Sequence, residues 1–190
     1  MGITHKSIER LQRHNLLQKC SMLELGAQNI YTAEDYGEIA KHYFTNNWGI
    51  DHVSWDITPH QGAIETDLRN VIPVARQFDI VTDYGTSEHV NGNYYQVHKN
   101  IHNHCTAGGI IVHENPSTGH WPGHGCNYIN KEFYEGLCKE AGYELIELQE
   151  EYAMGNTTDG KNICAVIRKV KDTKFISEEQ FNSIGNVFSK

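Results

Sequence analysis

Apolar and polar positions follow two different periods along the chain, and short apolar runs recur between longer amphipathic segments. Short apolar runs bounded by glycine, asparagine or proline are typical of buried strands. Such runs lie at 20–25, 51–57, 62–68, 78–85, 108–114, 143–152 and 162–170. The last two have no helical segment between them, which indicates an antiparallel pair.

Segments with the 3.6-residue period of an amphipathic helix separate these runs. Thr32 is a candidate N-cap with Asp35 three residues later, and apolar residues follow at helical spacing up to Phe44. Asn130 and Gly142 are the candidate N-cap and C′ residue of another helix. Helices are also predicted at 3–19, at 94–105 and, after a capping box, at the C-terminus, where the helix would present Phe181, Ile184, Val187 and Phe188.

The alternation of strands and helices predicts the fold class. It is α/β, with a Rossmann-like, doubly wound, mostly parallel sheet and a C-terminal antiparallel strand pair. We predict an N-terminal helical extension at 1–20, one domain at 21–170 and a C-terminal helical extension at 171–190. In such sheets ligands bind beyond the carboxyl ends of the strands, so the residues that follow each strand are candidate site residues.

Composition and charge exclude several classes of function. The chain has 190 residues, with 24 acidic and 16 basic side chains and a formal net charge of −8. Duplex nucleic acid is therefore not an expected partner, because phosphate contacts need clustered Lys and Arg. No apolar run approaches the ~20 residues that cross a bilayer, so no membrane partner is expected. The five cysteines lack a CxxC pair and the N-terminus lacks a signal-like apolar segment, which predicts a cytoplasmic protein with reduced thiols.

The residues at the strand ends resemble a known family. The first strand runs into "LELGAQ", the second ends at Asp56, and "FDIVTDYGTSEHV" surrounds the end of the fourth. "AGGIIVHENP" and "FYEGLCKEAGYELIEL" follow in order. Together these segments, over 21–169, resemble the class I S-adenosylmethionine-dependent methyltransferases. A nicotinamide enzyme of similar fold would need a G-x-G-x-x-G fingerprint, which the sequence lacks.

This resemblance implies S-adenosylmethionine as the cofactor. It implies that an acid after the second strand accepts hydrogen bonds from the ribose, which is the role of Asp56 here. Two departures from the family pattern are present: Gln28 replaces the second glycine, and only ten residues separate Asp56 from Asp67. The cofactor-binding residues that the resemblance implies are Glu24, Gly26, Gln28, Asp56, Asp67, Asp83 and Tyr84.

A histidine-rich stretch, "HENPSTGHWPGHGCNY", begins where the fifth strand ends. In the predicted fold it is a loop above the ligand site, and such loops shape substrate sites. We assign Glu114, His120 and Trp121 to this substrate loop. Imidazole titrates near neutral pH, so His89, His113 and His124 are candidate catalytic bases, with His120 as a further option. The sequence does not choose among them.

Some relatives, the small-RNA 2′-O-methyltransferases and the ubiquinone-pathway O-methyltransferases, hold a divalent metal with a Glu-x-x-Glu-His segment. Glu88 and His89 match its second half, and His124 matches a downstream histidine by spacing. The first Glu of the motif falls on Gly85. Glu88, His89 and His124 are therefore candidate metal ligands, although we expect an ordered lid without metal.

The function expected from this resemblance is methyl transfer from S-adenosylmethionine to an oxygen or nitrogen of a small molecule, a sugar or a protein side chain. A homo-oligomer is compatible with the sequence. One alternative is a metal-dependent hydrolase-like enzyme that uses His113, Glu114, His120 and His124. Another is a non-catalytic cofactor-binding or oligomerisation module, because Gln28 and the shortened segment before Asp67 would also result from decay of a methyltransferase.

Overall fold

The computed structural model describes residues 2–153 and 160–185 and the backbone of 188–189. The strands are β1 (Ile3–Thr4), β2 (Ser21–Leu25), β3 (Ile30–Tyr31), β4 (Asp51–Asp56), β5 (Ile64–Glu65), β6 (Phe78–Tyr84), β7 (Cys105–Pro116), β8 (Asn127–Tyr128), β9 (Glu144–Tyr152), β10 (Lys161–Arg168) and β11 (Phe188–Ser189). The helices are α1 (His5–Arg13), α2 (Ala40–Trp48), α3 (Tyr94–His104), α4 (Lys131–Ala141) and α5 (Glu178–Ile184), and a 3-10 turn spans Ser87–His89.

Seven strands form the central sheet in the order β5-β4-β2-β6-β7-β10-β9. The pairs from β5 to β7 are parallel, and β10 is antiparallel to both β7 and β9. This confirms the predicted fold class, including the C-terminal antiparallel pair. The carboxyl ends of β4, β2 and β6 lie side by side, so the residues after these strands meet at one edge of the sheet.

The sheet separates two hydrophobic clusters, as the two-residue period of a buried strand requires. On β2, Leu23 and Leu25 belong to the cluster that includes Phe133 of α4. Met22 faces the other cluster, with Phe44 of α2. All five cysteines are free. No helix in the described part of the chain is long and apolar enough to cross a membrane.

Two predicted helices differ in the structure. The second begins at Ala40 and not after Thr32, whose hydroxyl accepts a hydrogen bond from the Asp35 amide in an isolated turn. The Ile30 amide and carbonyl bond to residues 38 and 37, which fixes a tight turn where a helix would otherwise start. The last helix ends at Ile184, and Phe188 lies in β11, paired with β8. The predicted contribution of Val187 lies outside the described residues.

The N-terminal helix is shorter than predicted: it spans His5–Arg13, and the prediction was 3–19. Thr4 and Ser7 form a capping box that begins α1, and Ile3–Thr4 precedes it as a strand paired with β3. Arg10 of α1 is 1% exposed, contacts Glu114 of β7, and lies 3.0 Å from Glu147 and 2.6 Å from Glu151 of β9. Buried charges are tolerated only when paired, so this cluster fixes α1 on the sheet.

We predict that Arg10→Ala lowers the free energy of unfolding by about 3–5 kcal/mol, because Glu114 then stays buried without its cation. Arg13 is the matched control, since it lies on the same helix and pairs with Glu147 from a side chain that is 53% exposed. Arg13→Ala should cost at most about 1 kcal/mol. Urea unfolding measures both. Equal losses in the two variants would contradict a role for the buried charge cluster.

Candidate functional site

The carboxyl ends of β2, β4 and β6 border a cavity of about 240 Å³. Three predicted cofactor-binding residues line it, Gly26 after β2, Asp56 at the end of β4 and Asp67 after β5, together with the predicted catalytic residue His89. The rest of the lining is Trp55, Ile57, Thr66, Leu68, Arg69, Thr86, Val90 and Asn91. The lining thus combines two carboxylates, those of Asp56 and Asp67, with apolar side chains.

Asp56 is held by the backbone of the loops beside it. One carboxylate oxygen accepts a hydrogen bond from the Ala27 amide at 2.9 Å, and the other accepts one from the Thr58 amide at 2.9 Å. Each carboxylate oxygen has two lone pairs, so each retains one acceptor position. The geometry therefore allows Asp56 to accept two hydroxyl groups of a ligand in the cavity.

Gly26 is needed for the close approach of two loops. Its φ is +75°, a left-handed conformation that favours glycine. A Cβ atom there would lie 2.3 Å from the Thr86 hydroxyl oxygen. The Thr86 hydroxyl donates a hydrogen bond of 2.7 Å to the Leu25 carbonyl, which ties the loop after β6 to the end of β2.

Asp67 lies at the opposite end of the cavity. Arg69 donates hydrogen bonds to both of its carboxylate oxygens, at 2.9 and 2.7 Å. These bonds lower the pKa of Asp67. Leu68 and Val90 provide an apolar wall next to this ion pair, and the combination fits a flat heteroaromatic ring with polar edges.

The other predicted cofactor residues lie behind the cavity wall. Glu24 is buried on the α1 and α2 side, and its carboxylate accepts the Gln28 amide at 3.2 Å. The second Glu24 oxygen and the Tyr84 hydroxyl are buried without a hydrogen-bond partner among the described residues. The Gln28 side chain donates to Thr86 at 3.1 Å.

Asp83 is buried at the end of β6 and joins three segments. Its carboxylate accepts hydrogen bonds from Ser87 at 2.6 Å, from His113 of β7 at 3.0 Å and from Asn115 at 3.1 Å. Burial alone would raise the pKa of Asp83, but His113 and Ser87 lower it to about 2. Because protein donors surround its carboxylate, Asp83 does not line the cavity and instead holds together the segments that form its wall.

Glu88, His89 and His124 form a second cluster beside the cavity. Glu88 Oε1 lies 3.5 Å from His89 Nε2 and 3.7 Å from His124 Nε2, and the three ligand atoms lie within 4.8 Å of one another. Glu88 is 1% exposed. Its Oε1 and His124 Nε2 are buried without a hydrogen-bond partner among the residues that the structure describes. Asn115 donates to the other Glu88 oxygen at 3.3 Å.

This donor set fits a divalent cation. Ligand atoms at about 2.0–2.2 Å from one ion lie roughly 3.0–3.5 Å apart. The distances from Glu88 to the two histidines are 3.5 and 3.7 Å, and the three ligand atoms spread over 4.8 Å, so the side chains would have to move closer together around an ion. Two imidazoles and one carboxylate suit first-row divalent metals and leave positions open. Two buried polar atoms without hydrogen-bond partners, Glu88 Oε1 and His124 Nε2, lie 3.7 Å apart, and such atoms are otherwise costly. The cluster therefore has the composition and the unsatisfied donors of a metal site.

Comparison with solved structures identifies the fold. The chain superposes on the 1,6-didemethyltoxoflavin-N1-methyltransferase of Burkholderia thailandensis, solved with 1,6-didemethyltoxoflavin and S-adenosylhomocysteine, with a TM-score of 0.63 and 15% identity over 88% of this chain and 78% of that one. The chain has the class I methyltransferase fold.

Two further structures with this fold are similar to the chain. The N-methyltransferase NodS of Bradyrhizobium japonicum, in complex with S-adenosylhomocysteine, gives a TM-score of 0.59 at 15% identity over 88% of this chain and 89% of that one. The glycopeptide N-methyltransferase MtfA, complexed with S-adenosylmethionine, gives 0.56 at 11% over 88% and 94%. No protein-family model and no curated protein sequence matches the chain.

In this methyltransferase fold the residues of the histidine-rich loop contact several different segments of the chain. His124 reaches the cluster because the loop is docked on the 3-10 turn, where the Cys126 amide donates to the Glu88 carbonyl at 2.7 Å. A Cβ on Gly125 would lie 2.9 Å from Glu88 Cγ, so only glycine allows this approach without a shift. Asn127 donates to carbonyls of the same turn.

The other predicted loop residues point elsewhere. Trp121 donates to the Lys161 carbonyl and packs on Gly160, so it covers the start of β10. Glu114 is buried against Arg10. His120 lies near Glu150, while His113 is buried with Asp83. Because these side chains do not converge, the structure gives no support to the alternative metal-dependent hydrolase site.

Sequence reasoning missed Thr86 and Asn115. Thr86 lies two residues before Glu88, and only its position between β2 and β6 gives it a role at the cavity. Asn115 connects Asp83, Ser87 and Glu88 within 3.3 Å, while Tyr134 donates to its carbonyl oxygen at 2.9 Å. These are contacts between distant segments, and no local sequence signal identifies them.

We predict that His98→Phe reduces the pH dependence of stability in acid. His98 is buried among aromatic rings on α3, and burial lowers its pKa to about 3 from 6.5. Between these values the unfolded chain binds a proton that the folded chain does not, so stability falls as the pH is lowered through this window.

The slope of the free energy of unfolding against pH should therefore decrease by up to about 1.4 kcal/mol per pH unit in this variant. Urea unfolding at several pH values across the acid window measures it. Above about pH 8, where neither state protonates the ring, both proteins should show the same slope. Identical slopes in the acid window would contradict the prediction.

Proposed function

We propose that the protein is an S-adenosylmethionine-dependent methyltransferase. The observation that carries this proposal is Asp56, which ends β4, lines the cavity and retains one acceptor position on each carboxylate oxygen. A ribose diol requires such an acceptor. The methyltransferase fold and the S-adenosyl ligands of the three similar structures support the same conclusion.

In this proposal different residues bind different parts of the cofactor. Asp56 accepts both ribose hydroxyls, and Leu68 and Val90 enclose the adenine. The acceptor atom attacks the methyl carbon in line with the carbon–sulfur bond. The bond breaks toward sulfur, which leaves S-adenosylhomocysteine, and the acceptor loses a proton. Such a transfer depends mainly on positioning, so a base contributes less than alignment.

His89 is the candidate base that the cavity favours. Its side chain is 46% exposed and lines the cavity, whereas His113 is buried against Asp83. A second cavity of about 440 Å³ shares Asn91 with the first and is lined by Asn93, Asn127 and Asn182, among others. We propose that a polar acceptor approaches from this side. Transfer to nitrogen or oxygen of a small molecule, a sugar or a protein side chain, the cytoplasmic location and a homo-oligomer stay predictions.

We predict that S-adenosylhomocysteine raises the melting temperature, because a ligand that binds only the native state stabilises it by mass action. Asp56→Ala should lower the affinity for S-adenosylhomocysteine at least about tenfold, since it removes two charge-assisted hydrogen bonds. Asp51→Ala is the matched control, because Asp51 begins the same strand and is paired with Arg76 at its far end. Calorimetric titration measures the affinities.

Two outcomes would contradict the cofactor assignment. One is the absence of binding to the unmutated protein at millimolar ligand. The other is an equal loss of affinity in Asp56→Ala and Asp51→Ala, which would mean that the ligand does not contact the end of β4.

A second candidate, metal-assisted transfer, is favoured by the unsatisfied Glu88 Oε1 and His124 Nε2. We propose that Glu88, His89 and His124 hold a divalent cation, which departs from the lid without metal expected from the sequence. A bound cation would polarise an acceptor hydroxyl and lower its pKa. Asn115 orients Glu88 for this role, and the docked loop brings His124 within reach.

We predict that protein purified without chelator carries about one equivalent of divalent metal, that His124→Ala and Glu88→Gln lose it, and that all three bind S-adenosylhomocysteine alike. His120→Ala is the matched control, because His120 lies in the same loop outside the cluster. Elemental analysis after dialysis measures the metal. If the unmutated protein carries none, also after addition of Mn²⁺ or Zn²⁺, the proposal is wrong, and His124 then acts in the lid alone.

A further inference from the structure

The side chain of Gln28 lies directly behind one end of the cavity wall, against two of the lining residues, Gly26 and Thr86. Its amide nitrogen donates to Thr86 Oγ1 at 3.1 Å, and a Cβ on Gly26 would lie 2.7 Å from this nitrogen. The amide therefore rests directly against Gly26. We call the contact between Gln28 and Thr86 the Gln28–Thr86 bridge. Both of its supports, Gly26 and Thr86, line the cavity.

The strand order shows which part of a ligand would meet this bridge. The strands lie in the order β5-β4-β2-β6, with Asp67 after β5 and Asp56 at the end of β4. An adenosine with its base near Leu68 and its ribose on Asp56 directs its 5′ substituent toward β2 and β6. These strands end at Gly26 and Thr86, where the bridge stands.

The cavity as it stands is small for the full cofactor. Its volume of about 240 Å³ is below the roughly 300–1,000 Å³ of typical ligand pockets. A nucleoside fits such a volume better than a nucleoside extended by an amino acid. The bridge lies directly behind Gly26 and Thr86, which line the end of the cavity toward which the amino-acid half would extend.

Only the side chain of Gln28 is able to move without breaking the loop. Its backbone amide donates to Glu24 at 3.2 Å, and its carbonyl accepts from the Ala40 amide at 3.0 Å. The Thr86 hydroxyl donates its proton to the Leu25 carbonyl, so toward Gln28 it acts as an acceptor. The bridge is thus a single neutral hydrogen bond on a fixed frame.

We propose that the Gln28–Thr86 bridge determines how long a ligand the cavity accepts: closed, the cavity admits adenosine, and S-adenosyl ligands must displace the Gln28 side chain. This inference rests on the proposed function, since it takes the cavity as the cofactor site. Gln28 is then a specificity-determining residue that lowers affinity for the amino-acid half of the cofactor. A neutral hydrogen bond corresponds to about fivefold in an equilibrium constant.

The test is calorimetric titration of adenosine and of S-adenosylhomocysteine into the unmutated protein and Gln28→Ala. We expect Gln28→Ala to bind S-adenosylhomocysteine about fivefold tighter or more, with its affinity for adenosine unchanged. Gln61→Ala is the control for loss of a neighbouring glutamine, because Gln61 bonds to Asn29 outside the cavity lining. It should change neither affinity. Circular dichroism and the melting temperature establish that each variant is folded.

Three outcomes would overturn the inference, and only one of them would also contradict the proposed function. Weaker binding of S-adenosylhomocysteine by Gln28→Ala would make Gln28 a ligand contact and not a barrier. Unchanged affinities for both ligands would remove its role while leaving the cofactor site intact. If neither ligand binds either protein, the proposed function fails as well. A Gln28→Ala variant that does not fold is replaced by Gln28→Ser, to which the same outcomes apply.

Discussion

The buried carboxylate of Asp83 must be surrounded by hydrogen-bond donors, because an unpaired charge in the interior is too costly to keep. The donors come from the backbone of Thr86 and Ser87, the Ser87 hydroxyl, His113 and Asn115. This requirement folds the chain after β6 back on itself and joins it to β7. The positions of the residues on that turn follow from it.

Both candidate sites depend on the same turn. Thr86 and His89 line the cavity, and Glu88 and His89 form the cluster with His124. A shift of the turn would therefore change the cavity and the cluster of Glu88, His89 and His124 together. Asn115 strengthens this coupling, since its amide contacts Asp83 and Glu88 at once. His89 belongs to the cavity lining and to the cluster at once.

The sequence was sufficient for the fold class and for the seven strands of the central sheet, because short apolar runs and their glycine boundaries are local signals. It also identified Glu88, His89 and His124, which the structure brings within one cluster, although metal binding stays a prediction. Thr32 was misleading as a helix start, since its side chain caps an isolated turn. Glu114 was assigned to the substrate loop, but its pairing with Arg10 is a contact between residues 104 positions apart. Such long-range pairs, like the role of Asn115, become visible only when the fold is known.

The most direct test of the account is a crystal structure of the protein with S-adenosylhomocysteine. The account predicts both ribose hydroxyls on the Asp56 carboxylate, the adenine between Leu68 and Val90, and the Gln28 side chain displaced from Thr86. A ligand bound outside this cavity, or one whose ribose does not contact Asp56, would contradict it.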